Sequence, residues 1–214
     1  MKFGTVFELG HLIRIGGTYG IPVKYKVEET YFSDDALTFD NGDLDTFDEP
    51  LSKFRYDVTV PWHADLGASF SLGFLTLSGS ARYRDWSETE FRIPTDNKDD
   101  PEFEELAAEN ERIKEEYTET WEYRGGGELY LGFLKTVLRG GFSVLPSPLR
   151  SATSEQNKKF LTGGISFLID RFVSLDVTYM RGRWEQESVD EFTPGGTFEE
   201  IITNKIVVGF SYRF

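Results

Sequence analysis

Cysteine is absent from this 214-residue chain. That excludes disulfides, thiolate metal centres and cysteine nucleophiles, and it suits an oxidising compartment. Long apolar runs are missing as well. Nothing approaches the ~18 consecutive residues of a membrane-crossing helix, and mean hydropathy is −0.39. Basic charge is scarce: 23 Lys and Arg stand against 37 Asp and Glu, for a formal charge of −14. This balance argues against a nucleic-acid partner, because phosphate backbones select basic surfaces. A secretory leader is not visible either, since strand-like residues follow Met1-Lys2 directly. The expectation is a mature form or a piece of a longer chain.

The chain is rich in aromatic residues, 15% of the total, and in glycine, with 21. Both occur within a period-two pattern, the mark of strands with one apolar face. Between Phe54 and Phe70 the even positions are Phe54, Tyr56, Val58, Val60, Trp62, Ala64, Leu66, Ala68 and Phe70. The odd positions are Arg55, Asp57, Thr59, Pro61, His63, Asp65, Gly67 and Ser69. Typical strands of soluble proteins are only ~5–6 residues long and seldom need so extended an apolar face. From Ile13 to Val27 the odd face (Ile13, Ile15, Tyr19, Ile21, Val23, Tyr25, Val27) opposes Arg14, Thr18, Lys24 and Lys26. The same alternation recurs at 75–84, 121–133, 138–144, 161–169 and 173–179. A short first strand (Phe3 to Phe7) and a last one (Ile206 to Phe214) bring the count to about nine. Alternation of this kind hides a membrane barrel from hydropathy plots, because lipid-facing and lumen-facing residues average out.

The connections alternate too. Short ones fall near Gly10-His11, Leu72-Gly73, Leu134-Lys135 and Asp170-Arg171. Long ones fall at 32–53, 92–118, 146–158 and 184–199. Short turns on one rim and long loops on the other describe an outer-membrane barrel, with the long loops outside. The closing strand ends on the aromatic Phe214, which looks like the terminal signal read by the barrel-assembly machinery and belongs at the periplasmic rim. Residues 101–117 form the one helical stretch, capped by Asp100 and opened by Pro101. Phe103, Leu106, Ala107 and Ile113 would line its apolar side, facing the pore mouth as a lid. The fold expected is all-β: an antiparallel transmembrane barrel of about eight or nine strands in one domain over 1–214. The first strand is cut short at Met1, so part of a larger barrel is expected rather than a complete eight-stranded one.

Several short motifs resemble the FadL/TodX-type outer-membrane transporters of hydrophobic compounds. Ser80-Ala81-Arg82-Tyr83-Arg84-Asp85-Trp86-Ser87 is similar to their Asp-Trp-Ser strand end. Pro61 through Ser69 resembles the strand before it. Leu138-Arg139-Gly140-Gly141-Phe142, followed by Pro146 and Pro148, resembles another. Ser174 to Tyr179 and Ser211 to Phe214 fit their last two strands. The resemblance covers the C-terminal part of that family and lacks its N-terminal hatch and early strands, where the family's lateral opening lies. It implies passive uptake of hydrophobic compounds such as long-chain fatty acids, with no cofactor and no enzymatic step. The partners implied are the lipid bilayer, lipopolysaccharide and a hydrophobic small-molecule ligand, in the bacterial outer membrane.

Candidate sites follow from which way residues point. Arg14, Lys24, Lys26, Arg55, Arg82 and Arg84 face the lumen on neighbouring strands. They are either halves of cross-strand ion pairs or a basic patch for a carboxylate ligand. Pro22 and Pro61 lie about ten residues above adjacent turns and lack ladder donors. A local gap in the wall is expected between them. His63, Asp65 and Ser69 share a strand face, but same-face neighbours are ~6.5–7 Å apart, too far for a catalytic relay. A lumenal polar network is the expected role. Asp34, Asp35, Asp40, Asp43, Asp45, Asp48 and Glu49 crowd one loop without a basic residue. They form either a solvated loop or a weak divalent-ion site. Gly16, Gly67, Gly79, Gly126, Gly141, Gly164 and Gly209 are expected in a belt ~4–7 residues above the periplasmic rim, marking curvature or close backbone approach. Two rival functions remain: a structural or adhesive barrel binding partners through its acidic outer loops, and a barrel lipid hydrolase dependent on His63.

Overall fold

The computed structural model describes residues 1–31, 34–40, 42, 44–48, 52–92, 101–170, 172–190 and 193–212. In chain order the elements are β1 (Lys2–Leu9), β2 (Ile13–Gly20), β3 (Val23–Tyr31), β4 (Asp34–Thr38), β5 (Leu44–Asp48), β6 (Ser52–Val60) and β7 (His63–Ser71). Then come β8 (Leu75–Asp85), β9 (Glu90–Arg92), helix α1 (Pro101–Glu116), β10 (Glu119–Leu131), β11 (Thr136–Leu145), β12 (Lys158–Leu168), β13 (Val173–Asp190) and β14 (Thr193–Tyr212). Nine strands form one antiparallel sheet in the order β1-β2-β7-β8-β10-β11-β12-β13-β14, which does not close on itself. A separate sheet, β3-β6-β9, and a hairpin, β4–β5, sit beyond its loop end. β14 is described as far as Tyr212, so Phe214 and its reading as an assembly signal lie outside the described residues.

Antiparallel pairing between chain neighbours puts the four short connections on one rim, here the turn rim. Gly10 and Gly73 take positive φ there, 64° and 82°, where a side chain would strain the turn. Register then fixes the two faces of the sheet, because cross-strand partners point the same way. One face reads Phe7↔Ile15, Ile13↔Phe70, Phe70↔Leu77, Leu75↔Leu129, Leu129↔Leu138, Leu138↔Ile165, Ile165↔Val177 and Val177↔Val208 across all nine strands. It is exposed despite being apolar: Leu161 is 67% exposed, Ile206 70% and Phe210 68%. The buried hydrophobic residues among those described are only Phe54 and Ile113. A water-soluble domain of this size would enclose a core, and this sheet turns its apolar side outward instead.

Aromatic rings mark the upper limit of the apolar band. Tyr19 stacks near Trp62, Trp62 near Tyr83 and Tyr83 near Trp121, at centroid separations of 5.6, 5.4 and 5.1 Å. Tyr and Trp belts of this kind sit at membrane–water boundaries. From this row to the turn rim is about ten residues, or roughly 20–25 Å for tilted strands, the height of an outer-membrane apolar band.

Two expectations from the sequence need correction. Residues 184–199 are a ladder rather than a loop, with Trp184 opposite Ile201 and Ser188 opposite Thr197 before an irregularity at Asp190. Neither face of this segment alternates cleanly, so its pairing is carried up from the strands below. The long runs 13–27 and 54–70 each divide in two at a proline. In the glycine belt, Gly16, Gly67, Gly126 and Gly141 share the inner face and pair directly as Gly16↔Gly67 and Gly126↔Gly141. Gly79 instead pairs with Gly125 on the outer face.

Candidate functional site

The inner face of the sheet is polar and cross-linked. Asp65 on β7 is a hub. Arg82 Nε donates to its Oδ1 at 2.5 Å and Thr18 Oγ1 to its Oδ2 at 2.7 Å, while Lys2 Nζ lies 3.5 Å away. Register explains the convergence, since Thr18 and Arg82 are the two cross-strand partners of Asp65. Glu122 continues the network to Arg124 at 2.9 Å and Arg82 at 4.0 Å. A second knot joins Arg139 to Glu128 at 3.3 Å and to Asp176 at 3.2 Å, with Ser166 bonded to both Arg139 and Asp176. Charges facing a lumen this way tie neighbouring strands together while keeping the interior wettable.

His63 belongs to the first network. Its Nδ1 meets Arg84 at 3.3 Å, and its Nε2 is 3.9 Å from Asp65. Ser69 lies six residues further along, roughly 20 Å, opposite Arg14 and Ser78. The imidazole rests on Gly20, where a Cβ would come within 2.2 Å of the ring. Gly20 is therefore what lets His63 lie flat against the wall.

The six basic residues do not form one patch. Arg14 sits near the turn rim, four residues and about 13 Å along β2 from Thr18, and pairs with Glu8 at 3.0 Å. Lys24 meets Asp57 at 3.5 Å and Arg55 meets Glu28 at 2.6 Å, both in the three-stranded sheet. Arg82 is held by Asp65. Of these six, Lys26 and Arg84 have no carboxylate partner within ion-pair distance among the described residues. Arg84 lies 4.7 Å over the ring of Trp86, and its buried Nε has no hydrogen-bond partner, nor has His63 Nε2. Pairing could not be read from the sequence, because partners are set by register across strands far apart in the chain.

Pairing of β2 with β7 ends at Gly20↔His63, and that of β3 with β6 begins at Val23↔Val60. The register carries straight through this interruption, which sets Pro22 opposite Pro61. Two residues without an N–H face each other there, so neither can donate to the ladder. Pro61 is buried, and Trp62 beside it belongs to the aromatic row. The next strand departs at the same level. After Asp85 the chain makes a 3-10 turn, Trp86–Glu88, capped by the Asp85 carboxylate at 3.0 Å from Ser87 N. It returns with Thr59 opposite Glu90, whereas the β7–β8 register would have placed Glu88 there. The break thus crosses three adjacent strands just outside the aromatic row.

Helix α1 closes the edge of the outer sheet. Asn110 accepts from Phe91 N and donates to Phe91 O, both at 2.7 Å, as a neighbouring strand would. Ile113 is buried, Leu106 half-buried and Ala107 exposed, so the helix packs through its second half. Asp100 lies outside the described residues, as do Asn41, Asp43 and Glu49 of the acidic loop. That loop holds the β4–β5 hairpin, which sets Asp34 opposite Asp48. Among the described residues no three His, Asp or Glu side chains are grouped to hold a metal ion.

No protein-family model matches the chain. No curated protein matches it at a significant level. Solved structures do. A FadL homologue from Pseudomonas aeruginosa aligns over 98% of this chain and 51% of its own, with TM-score 0.57 and 15% identity. The fold is that of FadL-type barrels. The toluene transporter TodX of P. putida aligns over 100% of this chain and 48% of its own (TM-score 0.53, 12% identity). A ΔS2S3 mutant of TodX, a monoaromatic hydrocarbon channel, gives 100% and 49% (TM-score 0.54, 14% identity). The chain therefore spans about half the length of the FadL-type structures that it matches, in keeping with its unclosed sheet.

Proposed function

We propose that this chain is part of the wall of a bacterial outer-membrane channel through which hydrophobic compounds, such as long-chain fatty acids, cross passively. The observation that carries the reading is the two-faced sheet: apolar residues outward on all nine strands, and paired charges inward. In this reading the turn rim is periplasmic and β3, β6, β9 and α1 stand outside the membrane. In a bilayer the free edges of β1 and β14 require partners, because unpaired backbone there costs several kcal/mol per group. Further strands supply them. The FadL-type fold of neighbours that include a toluene transporter supports the substrate class.

Within this reading the basic residues take different parts. Arg14 and Arg82 hold the wall, and Lys24 and Arg55 the outer sheet, through carboxylates, and Arg84, which has no carboxylate partner, receives a ligand carboxylate. The Pro22–Pro61 interruption is a side passage at the outer boundary of the membrane. The test is uptake by cells that depend on the full-length protein, comparing a long-chain fatty acid with toluene. Deleting the protein should abolish uptake of at least one of them, and undiminished uptake of both would sink the proposal. Arg84→Gln should slow fatty acid uptake several-fold and spare toluene; equal effects on both would remove the carboxylate role. Pro22→Val with Pro61→Val should lower uptake of both by healing the ladder, and unchanged uptake would remove the side passage.

A further inference from the structure

We propose that the outward face of β12 and β13, just beyond the apolar band, is a docking site for the phosphorylated headgroup of lipopolysaccharide, formed by Lys159, Arg181 and Arg183. The proposal rests on the outer-membrane placement above. All three residues follow the parity of the lipid-facing side chains on their strands: Leu161 and Ile165 on β12, Val177 and Tyr179 on β13. Lys159 stands directly opposite Arg183, and Arg181 is opposite both Leu161 and Asn204. Directly opposed side chains have Cβ atoms about 4.5–5.5 Å apart, and like charges in that relation repel. Arg181 is one step of about 7 Å below Arg183 on the same face. Three cations thus share a small area on a chain whose formal charge is −14.

Internal carboxylates account for only part of this. Among the described residues Arg183 has Glu200 at 2.6 Å, whereas Lys159 and Arg181 have no carboxylate within ion-pair distance. Glu185 stands opposite Glu200 one step farther from the membrane, and its N–H donates to the Glu155 carbonyl there at 2.9 Å. The free cations therefore face the bilayer. On that side the next outward residue is apolar Leu161 on β12 and Tyr179 on β13. Tyr179 bonds Asn204 at 2.6 Å and stands opposite the exposed Ile206, while Arg181 is level with the exposed Leu161 and Phe142. An anionic headgroup against the cations, with acyl chains along the apolar residues beside and below them, fits this arrangement. A cationic cluster at the headgroup level is attracted to anionic lipid headgroups.

The test uses the protein extracted from the outer-membrane fraction of cells producing it, with bound lipid measured by native mass spectrometry. Titrants are bisphosphorylated lipid A, its dephosphorylated form and inorganic phosphate. The wild-type protein should retain bisphosphorylated lipid A, with dephosphorylated lipid A bound about tenfold more weakly. Lys159→Gln with Arg181→Gln should lose about the same factor, and Lys159→Arg with Arg181→Lys should bind like wild type. Heat-modifiable electrophoretic mobility reports folding of each variant, and Arg181→Gln alone serves if the double variant fails to fold. Equal binding of the two lipid forms, or no loss on neutralisation, overturns the proposal. Complete competition by millimolar inorganic phosphate overturns the lipid assignment. Absence of the protein from the outer-membrane fraction overturns the placement itself, a separate result from weak lipid binding by a correctly placed protein.

Discussion

The nine-stranded wall and the three-stranded sheet beyond it solve the same backbone problem differently. In the wall every strand between β1 and β14 is paired on both sides, and pairing runs without register shift up to the aromatic row. In the outer sheet the ladder restarts after two opposed prolines, the β9 strand comes in two residues late, and a helix side chain substitutes for a missing strand. Water explains the contrast. An unmet N–H in hydrocarbon costs several kcal/mol, whereas beyond the membrane boundary solvent satisfies it. Prolines and extra residues are thus confined to the side of the aromatic row where they are cheap.

Charge placement should break this comparison most visibly. Val177→Lys puts an ammonium on the lipid-facing side of the wall and should cost about 2–4 kcal/mol. Tyr25→Lys, on the corresponding face of the outer sheet, should cost a few tenths at most, as exposed substitutions do. Denaturant unfolding in lipid vesicles measures both; similar losses would mean that β3 also lies in the bilayer.

Polar pairs should show a smaller difference. Asp65→Ala strands Arg82, Lys2 and Thr18 on the inner wall and should cost about 2 kcal/mol, the scale of a charged hydrogen bond left unmade. Glu28→Ala removes an exposed pair with Arg55 and should leave the unfolding midpoint unchanged. Asn110→Ala should cost about 1 kcal/mol, with the readout local: amide exchange at Phe91 should accelerate while exchange in β10 stays constant. If both accelerate together, α1 supports the wall as well as the outer sheet.

The smallest effect concerns titration outside the membrane. The hydrogen bond and charge of Arg55 hold the Glu28 carboxyl below its usual range, with Lys53 assisting. A carboxylate depressed in the folded state contributes stability above its unfolded pKa, and that contribution is lost as pH falls through the folded value. NMR titration should place Glu28 below an ordinary glutamate, and Arg55→Gln should return it to that range; no change on substitution would mean that the ion pair is not formed in solution.

Much of the wall was legible in the residues themselves. Alternation at Ile13–Tyr19, Ala64–Phe70 and Leu75–Tyr83 determined which side chains face out, because period two is a property of any extended chain. Glycine and short polar spacings determined the turn rim, and the Pro101 start with its apolar spacing determined α1. The two prolines were visible as missing donors. Local sequence did not contain the register that sets Pro22 opposite Pro61, shifts β9 by two residues and extends β13 and β14 past Trp184. Nor did it contain the partners of the basic residues. Arg82 meets Asp65 and Arg55 meets Glu28 because strands 17 and 27 residues apart lie side by side. Which face a side chain occupies is decided by its own strand, but which charge it meets is decided by the neighbouring strand, and only the assembled sheet brings the two together.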